Sequence, residues 1–251
     1  MTESEWLSCQ DPEKMLEFLR GRATDRKLRL FAAACCRRVW HLLSEGGSRN
    51  AVEAAERYAE GLASDAELAA AAEAAAAELE AGRAASETNR DDMAAFAVGT
   101  ARAAAMDTAY NEGRRYTIGR YRNYHIQGGA FAAAGLAAGR SLSAVKLSKL
   151  GEAAALAEAA ERDAQTHLLR CIIGNPFKPL SISPAVLAWH NGTVAKLATV
   201  IYDDRRWEDM PLLGDALEEV SCSDRDVLAH CRGPGPHARG CFVLDAILGR
   251  S

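Results

Sequence analysis

No stretch of this 251-residue sequence reaches the roughly 18 uncharged apolar residues that a membrane-spanning helix needs. Met1 to Gln10 is mixed and acidic, without the basic, then apolar, then small-residue succession of a secretory signal. These absences favour a cytoplasmic protein with no membrane partner. A surplus of positive charge is missing too: the net charge is −4, so nothing global attracts a phosphate backbone, and nucleic-acid binding would need a local basic patch. The chain also lacks a Gly-x-Ser-x-Gly elbow, a Gly-x4-Gly-Lys phosphate loop and a His-Glu-x2-His helix, which removes three common catalytic signatures. Its seven cysteines, an odd number with Cys35 and Cys36 adjacent, do not make a secreted disulfide framework. They read as thiols, metal ligands or core filler.

Strand signals are nearly absent, and helix signals run from end to end. Asp11-Pro12 supplies an N-cap and a proline at the first helical position, and the helix it opens stops at Gly21. Thr24 or Asp25 opens the next, where Leu28, Phe31, Cys35, Val39 and Leu42 recur at steps of three and four on one buried stripe, up to Gly46-Gly47. Ser48 is placed to cap a third helix through Leu62. Ser64 and Glu67 have capping-box spacing at the head of an alanine-dominated helix to about Gly82. Alanine forms helix at little entropic cost but buries little apolar area, so this tract should pack closely, helix against helix, or lie partly exposed.

A further helix is expected near residues 91–110, then a long loop over 111–129, then a long helix from Ser143 to the stop Gly174-Asn175-Pro176. Phe177 to Pro184 is a proline-punctuated connector. Short helices follow near 193–202, 211–220, 223–230 and 236–248. The expected fold is all-α: a helical bundle of antiparallel neighbours over 1–175, with a small unit of short helices over 176–251 packed on it.

Three stretches, Asp25 to Trp40 with its Cys-Cys-Arg-Arg, Leu169 to Pro179, and His230 to Cys241 with its Gly-Pro-Gly-Pro-His, resemble an uncharacterised bacterial family that shares these features and a Glu-Trp-Leu start. The resemblance covers the two ends of the chain and little of its alanine-rich middle. It implies a common fold and carries over no catalytic residue.

The densest chemistry lies in His230 to Cys241, as Cys231-x5-His237-x3-Cys241. If Pro236 opens the last helix, His237 and Cys241 share a helical face, and Cys231 folds back across the Gly-Pro turn. Three such ligands suit zinc, with a fourth from Cys222, His230, Cys35 or Cys36. The same helix start, with Arg232, His237 and Arg239, would alternatively seat a phosphate or carboxylate, unless the arginines pair with acidic neighbours. Cys35 and Cys36 point about 100° apart on a helix, which favours core packing over a redox pair. Over 114–125, Arg114, Arg115, Tyr116, Arg120, Tyr121, Arg122 and Tyr124, followed by His125, interleave cations with rings as single-stranded nucleic-acid surfaces do. With no assembled catalytic set, the expectation is a helical binding or scaffolding module with a protein partner, no cofactor and no enzymatic activity. The competing expectations are a metal-dependent protein or enzyme centred on Cys231, His237 and Cys241, and a nucleic-acid binder through the Arg/Tyr loop.

Overall fold

The computed structural model describes residues 1–38, 40–43, 46–85 and 147–250. The helix expected at 91–110, the Arg/Tyr loop at 111–129, the stripe residue Val39 and the opening at Ser143 lie outside them. The fold is all-α, and among the described residues there is no strand. The helices are α1 (Glu3–Ser8), α2 (Pro12–Leu19), α3 (Asp25–Arg38), α4 (Gly47–Ala59), α5 (Asp65–Ala85), α6 (Leu147–Ile173), α7 (Pro184–Ala188), α8 (Thr193–Asp204), α9 (Met210–Glu219), α10 (Arg225–Arg232) and α11 (Phe242–Leu248). None is long and apolar enough to cross a membrane.

The chain divides into two compact units, residues 10–165 and residues 1–9 with 166–251. The division falls inside α6 and not at the connector after Asn175, where a boundary between 1–175 and 176–251 is expected. Proline and glycine there redirect the chain without separating two cores. The end of α6 is instead tied to the first nine residues, through the Trp6 indole N–H that donates to the Gly174 carbonyl at 3.0 Å.

In the unit of residues 10–165 two of the local capping signals act as read. Asp11 accepts from the Glu13 and Lys14 backbone N–H groups at the head of α2, and Ser64 and Glu67 close a reciprocal capping box before α5. The alanine-rich tract packs closely: Ala51, Ala54 and Ala55 of α4 meet Leu68, Ala72 and Ala75 of α5 in one buried cluster. A Cβ on Gly47 would come within 2.9 Å of the α5 backbone at Ala74 and Ala75, so glycine permits the approach. Gly47 also starts α4, two residues earlier than a Ser48 cap implies. Ser48 lies inside the helix and donates from its backbone N–H to Glu78 at 3.0 Å. Arginines of α3 hold carboxylates of its neighbours: Arg37 grips Glu56 with two hydrogen bonds, at 3.1 and 2.7 Å, and Arg38 meets the buried Glu161 at 2.9 Å.

The other unit is built on α8, α9, α10 and α11, whose apolar faces supply Val194, Ala198, Ile201, Tyr202, Leu213, Leu217, Val227, Val243 and Leu244 to one core. α10 runs two residues past the expected His230, to Arg232. The last helix departs further, since it begins at Phe242 and not near Pro236. Residues 233–241 form a loop that turns left-handed at Gly235 (φ +81°) and Gly240 (φ +84°). Both are conformations glycine adopts without steric cost.

Candidate metal centre

Four side chains converge in the unit of residues 1–9 and 166–251. Cys171 comes from the last turns of α6, His230 from α10, and His237 and Cys241 from the loop before α11. One ligand atom from each lies within 4.8 Å of all the others. A tetrahedral zinc, with sulfur at about 2.3 Å and nitrogen at about 2.0–2.1 Å, spaces its ligand atoms about 3.3–3.8 Å apart. His230 Nε2 is already 3.2 Å from Cys241 Sγ, and the widest pair closes by about 1 Å to reach that spacing.

The elements place these groups for identifiable reasons. Cys171 falls on the buried side of α6 with Leu168, Leu169 and Ile172, just before the left-handed Gly174 (φ +73°) that ends the helix. The backbone N–H of Cys241 donates to the Ala238 carbonyl at 3.0 Å, which folds 238–241 into a turn, and the Cys241 carbonyl takes the first helical bond of α11 from Asp245 at 2.8 Å. Gly240 donates to the buried Tyr202 hydroxyl at 3.1 Å, fixing the loop to α8. The His230 ring meets His237 edge-on, with centroids 4.8 Å apart, and the ring of Phe242 at the same separation.

Both ring nitrogens of His237 are buried, and neither meets a partner at hydrogen-bond geometry. A buried imidazole left this way is costly, and a metal would satisfy one of the two nitrogens. Burial by itself pushes the Cys241 thiol up. The polar groups of Cys171, His230 and His237 around it, with the charge on His230, outweigh burial and hold it well below the ordinary thiol range. Thiolate is the form that ligates metal.

Of the expected trio Cys231, His237 and Cys241, two belong to the cluster and one does not. Cys231 is fully buried in the apolar core, its β-carbon 3.1 Å from where a side chain on Gly214 would begin. Burial pushes its thiol up to about 12. Neighbouring positions on a helix diverge by about 100°, so α10 presents either His230 or Cys231 to one point. It presents His230, which was a candidate fourth ligand. His237 and Cys241 meet without the shared helical face expected of them, because a turn replaces the helix. Cys222 is half-buried and outside the cluster. Cys35 and Cys36 are buried in α3 of the other unit, where burial raises both thiols.

Cys171 was not among the expected ligands. The signal for it was a cysteine on the buried face of a helix one turn before a Gly-Asn-Pro stop, and the one histidine at helical spacing from it, His167, is exposed and outside the cluster.

The anion pocket of Arg232, His237 and Arg239 is not assembled as expected. No helix starts at Pro236, Arg232 is held by Asp215 and Glu218 at 2.8 and 2.5 Å, and Arg239 donates to the Asp203 carbonyl at 3.2 Å. The Arg114 to Tyr124 surface lies outside the described residues. Comparison of the chain with protein-family models, with curated protein sequences and with solved structures finds no match.

Proposed function

We propose that the protein is a zinc-binding helical module in which Cys171, His230, His237 and Cys241 form a closed Cys2His2 centre. The observation that carries this reading is the convergence of one ligand atom from each residue within 4.8 Å, two thiols and two imidazoles brought from α6, α10 and one loop. Two soft and two borderline donors at four corners are the set that tetrahedral zinc takes. Four protein ligands leave no corner for substrate, which supports a structural role over a catalytic one. In that role the metal ties the end of α6 to α10 and to the loop before α11, and its binding energy adds to folding energy. The module that results serves binding or scaffolding.

Elemental analysis of the full chain, purified without chelator, tests the reading. One zinc per chain is expected. A folded protein that holds no zinc, and takes up neither zinc nor cobalt when either is added, would refute it.

A further inference from the structure

The first nine residues belong to the same compact unit as the four ligands, and they grip the segment that carries Cys171. Trp6 is fully buried, and its indole N–H donates to the Gly174 carbonyl at 3.0 Å. Arg170, the neighbour of Cys171, returns the contact by donating from one terminal nitrogen to the carbonyls of Trp6 and Cys9, while its other terminal nitrogen donates to Thr166 at 3.2 Å. On the far side of Gly174, Glu3 accepts from the Asn175 amide at 2.7 Å and pairs with Lys178 at 2.9 Å. The stretch 170–178 is therefore held at several points by one short helix.

The same glycine faces a neighbour of the metal ligands. A Cβ on Gly174 would fall 2.8 Å from the Phe242 ring, so that ring lies flush against the backbone. Phe242 follows Cys241 in sequence, and its ring meets that of His230 at 4.8 Å. An unbroken line of contact thus runs from the Trp6 indole through Gly174 and Phe242 to His230 and Cys241.

Resting on the zinc reading above, we infer that α1 is a clasp on the metal centre and that Trp6 is a positioning residue. It holds the end of α6 at the height where Cys171 reaches the other three ligands. Groups that orient metal ligands without touching the metal commonly alter affinity by about 10–100-fold when removed. Coupling between two events is reciprocal: if a docked α1 strengthens metal binding, the metal strengthens docking of α1 by the same factor.

The test uses the full-length chain. Zinc affinity is measured by chelator competition for wild type and Trp6→Phe, which keeps an aromatic ring and removes the N–H donor together with the fused five-membered ring that carries it. Backbone hydrogen exchange over residues 3–8 is followed with and without zinc, and the visible absorption of the cobalt-loaded forms is recorded. We expect Trp6→Phe to bind zinc about 10-fold more weakly, to show an altered cobalt spectrum, and zinc to slow exchange over 3–8 in wild type. Wild-type affinity and spectrum in Trp6→Phe, with exchange over 3–8 indifferent to zinc in a fully loaded protein, would overturn the clasp and leave the metal site standing. Failure of wild type to bind zinc would remove the site, and the clasp with it.

Discussion

His230 brings its Nε2 to within 3.2 Å of the Cys241 sulfur, across a loop that contains no helical turn. That contact links α10 to the start of α11, and Cys171 and His237 join it from two further directions. A cysteine pairing with a histidine is common in apolar cores. Two of each, drawn together from α6, α10 and a glycine-shaped loop, are the donor set that the proposed zinc centre requires.

Gly174 carries two demands at once, a left-handed backbone and a close approach by Phe242. Gly249 (φ +66°) carries only the first, since nothing lies within 4 Å of its missing Cβ. Gly249→Ala should cost about 1 kcal/mol, and Gly174→Ala about 2–4 kcal/mol, the excess coming from displacement of the Phe242 ring. Urea unfolding of both variants checks the contrast. Equal losses would mean that the Phe242 contact carries no energy.

Thiol reactivity should divide by burial. Cys35 and Cys36 are closed to solvent, and burial pushes Cys36 up to about 12. Cys9 and Cys222 are the half-buried pair. A disulfide reagent applied to the native protein at neutral pH, with modified sites mapped by mass spectrometry, should mark Cys9 and Cys222 first and Cys35 and Cys36 only on unfolding. Rapid marking of Cys35 or Cys36 would contradict their place in the core.

Glu161 makes the stability of its unit depend on pH. Burial raises its carboxyl above the unfolded value of 4.5, against the opposing pull of Arg38 and Gln165. Once the pH passes 4.5, the unfolded chain gives up this proton while the folded chain retains it, so Glu161's contribution falls until the folded value is passed. Glu161→Gln removes the titration. The stability of the variant relative to wild type should therefore rise as the pH is taken upward from 4.5. A difference that stays flat or falls over that range would show that Arg38 outweighs burial.

The fold was legible where the deciding interactions are local. The Asp11 cap, the Ser64 and Glu67 box and the Gly174-Asn175-Pro176 stop each act over a few residues, and α2, α5 and the end of α6 follow them. The spacing of His237 and Cys241 suggested one helical face, yet residues 233–241 form a loop, held by the Gly240 bond to Tyr202 and the turn at Ala238. The proximity of the two ligands came out right for a different reason. Cys231 was misleading because sequence adjacency to His230 counts for nothing across the 100° between helical neighbours. Cys171 was hidden because its relation to the loop is tertiary, made through Trp6, Gly174 and Phe242. The compact units likewise follow contacts of residues 1–9 that no local pattern announces.

The contrast between two cysteines puts the central claim to its most direct test. Zinc content and zinc affinity of Cys171→Ser and Cys231→Ser should be measured side by side on folded, full-length protein. Cys171→Ser should lose stoichiometric zinc, as His237→Ala should, whereas Cys231→Ser should keep one zinc per chain. Zinc retained by Cys171→Ser and lost by Cys231→Ser would contradict the account.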